Sequence, residues 1–184
     1  ASSKLLLSNS ITVDSVRTSL ASLGLDVDAN STVTSLTVGH TTPVSIASGR
    51  TLSGAITVSA GSIKLDEAGT LASTIAMSSG TLDADESLTL SGALTQSGNI
   101  TIDVADNKTL TYSGAAVNLG ANTLTLSGEG RLSNSNALVL NNASSKLLLS
   151  NSITVDSVRT SLASLGLDVD ANSTVTSLTV GHTT

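Results

Sequence analysis

Residues 1–42 of this 184-residue chain recur letter for letter as residues 143–184. Any fold must therefore seat one stretch of sequence twice, 142 residues apart, and satisfy the same pattern of apolar and polar side chains both times. Repeat architectures do this by stacking, because each unit buries its apolar face only against its neighbours. The chain reads as one continuous array over 1–184, with a full unit at 1–142 and a restart at 143–184 identical to 1–42. It opens Ala1-Ser2-Ser3-Lys4, with no initiator Met, secretion signal or lipidation motif, so the expectation is a window on a longer tandem array.

A shorter period lies inside the long one. An outward Thr or Ser, an apolar residue, another small polar residue and a turn recur around Val33, Leu52, Leu71, Leu90, Leu110, Leu132, Ile153 and Val175. The steps run from 19 to 22 residues, and seven of them fill the 142-residue unit. Each rung divides again into short alternating runs, as in Thr109-Leu110-Thr111-Tyr112, Ala116-Val117-Asn118-Leu119 and Thr123-Leu124-Thr125-Leu126. Alternation of period two over three to five residues is the signature of a strand, with Leu, Ile and Val inward and Thr, Ser and Asn outward. Ser-Gly, Ser-Gly-Asn and Gly-Ala-Asn separate the runs, and these residues turn the chain because Gly reaches positive φ and Asn tolerates it. Val16, Leu20 and Leu23 alone have helical spacing. Their rung is no longer than its neighbours, so an irregular loop is expected there.

A rung of about twenty residues with three short strands and no helix predicts an all-β chain. The expected fold is a parallel β-solenoid (β-helix), with seven rungs per 142-residue repeat. The coil is expected to be right-handed, as parallel crossovers are. At about 4.8 Å per rung, one unit spans roughly 34 Å.

Composition narrows the functional classes. There is no Cys, which excludes a disulfide framework and a Cys-ligated metal. Aromatic residues make up 1% of the chain, with one Tyr and neither Phe nor Trp, as a narrow core of stacked aliphatic residues would require. No apolar run approaches the roughly 20 residues of a membrane helix. Net charge is -6, or -5 for one unit once the duplicated Lys4, Arg17, Asp14, Asp26 and Asp28 are counted once. An acidic chain without basic clusters or stacking aromatics has no means of holding nucleic acid.

The runs TLTLSGEGRL (123–132), LTLSGALTQSGNITI (88–102) and TLTYSGAAVNL (109–119) resemble bacterial surface-protein repeats. Similar runs occur in autotransporter passengers, filamentous haemagglutinin-like adhesins and giant tandem-repeat proteins. The resemblance implies secretion to the cell surface and an adhesive or structural role. Its motifs are ones any β-solenoid produces, and no functional residues come with it.

Chemistry was sought residue by residue. His40 and His182 are one position repeated, so regular stacking separates them by roughly 34 Å and they cannot share a metal or proton. His40, in a Gly-His-Thr-Thr-Pro stretch, reads as a turn residue. No nucleophile elbow, P-loop or dinucleotide-binding glycine pattern occurs. The carboxylates say more. Asp66 and Glu67, Asp85 and Glu86, and Asp103 and Asp106 follow the third strand of three successive rungs. Stacked like charges about 5 Å apart would cost on the order of 1 kcal/mol per pair, and a bound Ca²⁺ would relieve that. The opposing expectation is solvated turn acids that keep a repetitive surface soluble. Asp26-x-Asp28-x-Asn30 resembles the opening of a calcium loop, although Ser31 and Thr37 stand where Gly and Glu belong. No cofactor is required; Ca²⁺ is the one candidate.

Paired acids also raise a polysaccharide lyase or hydrolase. Such catalysis needs two carboxylates across a cleft, and sugar sites need aromatic platforms that a chain with only Tyr112 lacks. A third candidate is ice binding through an outward Thr ladder: Thr32, Thr34, Thr51, Thr70, Thr89, Thr109 and Thr111. Ala72 and Arg131 interrupt that ladder, and hydroxyl ladders also stabilise ordinary strands. Asn30, Asn99, Asn107 and Asn142 head Asn-x-Ser/Thr triplets, which chance explains in so Ser- and Thr-rich a chain. The sequence is best read as a non-enzymatic structural segment of an extracellular fibre or giant surface adhesin. Its expected partners are further copies end to end, covalent or stacked, and other fibres through lateral bundling. Nucleic acid and a membrane span are not expected.

Overall fold

The computed structural model describes residues 3–18, 23–160, 166–170 and 172–181. Among these residues there is no helix. Parallel strands about twenty residues apart in sequence stack into a β-solenoid of about eight turns.

One wall is a nine-stranded sheet. Along the axis it runs Ser3–Leu7, Leu23–Val27, Thr42–Ile46, Ser62–Leu65, Thr81–Ala84, Ile100–Val104, Thr123–Gly128, Lys146–Leu149 and Leu167–Val169. The second wall has two limbs. At either end of the molecule one strand covers both limbs: Thr12–Thr18, Ser31–Val38 and Thr51–Val58 at one end, Thr154–Thr160 and Thr174–Val180 at the other. In the middle rungs the limbs carry separate short strands, such as Thr70–Leu71 with Thr74–Met77 and Leu88–Leu90 with Leu94–Gln96. Three strands per rung therefore hold in the middle, and two longer ones at the ends.

Alternation sends every second side chain inward, and the ladder stacks like on like. Ile63, Leu82, Ile102, Leu126 and Leu149 pair in sequence down one wall, and all are buried. Burying each such side chain contributes about 1.5–3 kcal/mol, and the column repeats it at every rung.

The column expected through Val33 and Val175 is realised in segments. Leu52, Leu71 and Leu90 stack, as do Leu110 and Leu132. At three joints the register is offset by two: Leu52 pairs with Ser31, Leu90 with Tyr112 and Leu132 with Val155. A shift of two returns each side chain to the same face, so the apolar pattern alone does not distinguish the registers. At the first joint the shift is taken up by an irregularity between Val33 and Leu36. Gly54 lies opposite with φ +119°, where a Cβ would fall 1.8 Å from the Val33 carbonyl oxygen. Val16, read from sequence as part of an irregular loop, lies in the strand Thr12–Thr18, and Leu23 opens the strand Leu23–Val27. Leu20 lies outside the described residues.

The second limb has one break, between Leu94–Gln96 and Val117–Asn118, which do not form a ladder. Side chains bridge it. The Tyr112 hydroxyl donates to the Ala115 carbonyl at 2.5 Å and accepts the Leu94 N–H at 3.2 Å, while Gln96 Nε2 donates to the Leu119 carbonyl at 3.0 Å. The single aromatic residue thus does in the core what backbone pairing does elsewhere. Gly114 makes room for it, since a Cβ there would meet the Tyr112 ring at 2.7 Å.

The exact repeat supplies an internal control at the two ends. Leu5 is 42% exposed and its twin Leu147 0%; Ile11 is 49% exposed and its twin Ile153 0%. The other end mirrors this: Leu178 is 46% exposed against 0% for Leu36, and Val180 50% against 0% for Val38. Identical residues are core where a rung covers them and surface where none does.

Candidate functional site

The nine-stranded wall gathers most of the acids. Along it Pro43, Lys64, Asp83, Asp103 and Ser127 form one outward column. Asp26 and Ser45 pair in the neighbouring column, which Asp66 and Asp85 continue at the strand ends, with the Asp85 N–H donating to the Leu65 carbonyl at 2.9 Å. Asp103 therefore lies within a strand, stacked on Asp83, and the six acids picked from the sequence do not form one ladder.

Two residues that the sequence reading passed over organise this surface. Asp83 was missed because it lies mid-strand and the search followed the turns. Lys64 was missed because its side chain reaches acids nineteen and twenty-one residues on. Its Nζ pairs with Asp83 at 3.6 Å and, more closely, with Asp85. The adjacent Asp85 carboxylate holds the Lys64 pKa above its ordinary value, against the opposing effect of burial. Burial pushes the Asp83 pKa up; Lys64 pulls it down, and Asp85 and Asp103 push it up again. Burial and like charge prevail over the single lysine.

The other candidate acids have separate partners. Asp66 accepts the Ser45 hydroxyl at 2.7 Å, Glu86 pairs with Lys108 at 2.7 Å, and Asp103 accepts the Ser127 hydroxyl. Asp106 accepts the Asn107 amide at 2.9 Å in an exposed turn, and Glu67 is exposed. Asp26 is part of a strand and pairs with Lys4 at 3.5 Å, so Asp26, Asp28 and Asn30 do not close a calcium loop. Among the described residues, no three His, Cys, Asp or Glu side chains gather as a metal would require.

The hydroxyl candidates divide among columns. Thr51, Thr70, Thr89 and Thr111 stack in one, which continues to Ser133. Thr109 lies one column over, opposite Arg131. Thr32 belongs with Thr12 and Ser53, its hydroxyl 2.8 Å from that of Ser53, while Thr34 is exposed at the register shift. The nine-stranded wall carries its own column of Ser62, Thr81, Thr101 and Thr125, with Thr41 joined to Ser62 by a 3.2 Å hydroxyl contact. Outward hydroxyls are thus common to both walls.

His40 is an exposed turn residue whose carbonyl accepts the Thr42 hydroxyl at 3.1 Å; His182 lies outside the described residues. Two of the Asn-x-Ser/Thr asparagines have structural work that sequence reasoning missed. Asn30 Oδ1 accepts the Thr51 N–H at 3.0 Å, and Asn99 Oδ1 accepts the Thr123 N–H at 2.8 Å. Each ties a corner to the next rung. Their position just before a strand, one rung below another strand start, was the available signal.

Comparison with protein-family models, curated proteins and solved structures finds no match to this chain.

Proposed function

We propose that this chain is a non-enzymatic structural segment of an extracellular fibre or giant surface adhesin built from tandem 142-residue units. The observation that carries this reading is the junction at residue 143. Lys146–Leu149 pairs with Thr123–Gly128, and Thr154–Thr160 pairs with both Arg131–Asn134 and Leu138–Leu140. The second copy enters the coil as another rung, with no linker and no break. A repeat that continues the solenoid in this way extends a rod, whereas a string of separate domains would interrupt it.

The chemistry of the surface supports the same role. Hydrogen bonds run along the axis on both walls, and outward hydroxyls with dispersed ion pairs keep the skin polar. Proteins of one, two and three units test the proposal by X-ray scattering and electron microscopy. Their length should grow by roughly 34 Å per unit at constant cross-section. Length that grows as for beads on a flexible string would overturn it. Ice binding remains a second reading because Thr51, Thr70, Thr89 and Thr111 share one column, and measurable thermal hysteresis from one unit would displace the fibre reading in its favour.

A further inference from the structure

We propose that the two bare edges of this chain dock on each other, so that copies of the 184-residue chain assemble head to tail into open filaments. The inference rests on the fibre reading for its purpose and on the paired identical segments for its geometry. Among the described strands, Ser3–Leu7 and Thr12–Thr18 are paired on one side only, as are Leu167–Val169 and Thr174–Val180 on the opposite side. In the interior the same sequences are covered on both sides. Lys146–Leu149, the twin of 4–7, lies between Thr123–Gly128 and Leu167–Val169; Ser31–Val38, which contains the twin of Thr174–Val180, lies between Thr12–Thr18 and Thr51–Val58. What covers each edge inside the molecule is another rung of this protein, and a second copy offers one.

The chemistry at the seam is already realised within the chain. Thr154–Thr160 and Thr174–Val180 stack Val155 on Val175, Val158 on Leu178 and Thr160 on Val180. The strand Thr12–Thr18 has the same sequence as Thr154–Thr160. Docking Thr174–Val180 of one copy on Thr12–Thr18 of the next puts Val175 on Val13, Leu178 on Val16 and Val180 on Thr18. The exposed Leu178 and Val180 are covered by that contact. On the other wall, the register that pairs Lys146 with Asp168 at 3.4 Å brings Lys4 of the next copy to Asp168. The two edges are different surfaces, so the contact is heterologous and does not close on itself.

The test uses the full chain and two single variants. Leu178→Lys spoils the C-terminal edge and Leu5→Lys the N-terminal edge; each leaves its buried twin, Leu36 or Leu147, in place. By sedimentation velocity the wild-type chain should form species that grow with concentration beyond a dimer. Each variant alone should sediment as a monomer with unchanged circular dichroism. Mixed together, the variants should give a one-to-one species near twice the 18.2 kDa chain mass, because each retains the edge the other lacks. That restoration would not occur if either variant had merely unfolded. A wild-type chain that stays monomeric, or stops at a closed dimer, overturns the proposal, as does failure of the mixture to pair. None of these results bears on the length test of the tandem reading.

Discussion

Tyr112 illustrates how one side chain can carry a rung. Its hydroxyl stands where a ladder bond is missing, accepting from Leu94 and donating to Ala115. Tyr112→Phe keeps the ring and strands a buried N–H, so unfolding free energy should fall by about 1–3 kcal/mol in a denaturant titration. Burial raises the tyrosine pKa, so the bridge holds across neutral pH. Asp83 works in the opposite sense. Burial raises its pKa in the fold above that of the unfolded chain, so the folded state favours the protonated form. The associated stability is present at low pH and is lost as pH rises through the raised value. Asp83→Asn should therefore raise the melting temperature at pH 7 by a few degrees, and the gain should disappear in acid. The same melts repeated with EDTA and then with Ca²⁺ should show no shift, because Lys64 already holds Asp83 and Asp85 together. A reversible loss with chelator would restore the calcium reading.

Strands behave according to what lies above and below them, and the duplicated segment separates that effect from sequence. Leu36 and Leu178 are the same residue in the same local sequence, one covered and one bare. At concentrations low enough to keep chains apart, Leu36→Ala should cost about 2–5 kcal/mol. Leu178→Ala should cost about 0.5 kcal/mol or less. Equal losses would mean that the end rung is covered after all. The contrast also marks what could be read beforehand. Strand existence and inward residues were legible, because Leu-Thr-Leu runs leave no alternative at period two. Register was legible only to within two residues, because Ser31 and Val33 lie on the same face and either could meet Leu52. The acidic surface was half legible: turn acids stood out, whereas Lys64 and Asp83 matter through rungs that only the coil brings together.

At the scale of the whole molecule, rung length varies while the inward columns persist. Between one strand of the nine-stranded wall and the next, the register advances by 19 residues from Leu25 to Val44 and by 24 from Ile102 to Leu126. The surplus is absorbed at corners and at the register shift beside Gly54, so the coil keeps its bore and changes only its coat. Axial distance therefore counts rungs, whatever the number of residues in each. The unbroken junction at residue 143 has a genetic corollary. Where copies are identical and meet without a linker, in-frame exchange between them can add or remove a whole unit while every buried contact is re-formed. Such a gene would alter its product in steps of roughly 34 Å, changing reach and leaving the surface chemistry as it was.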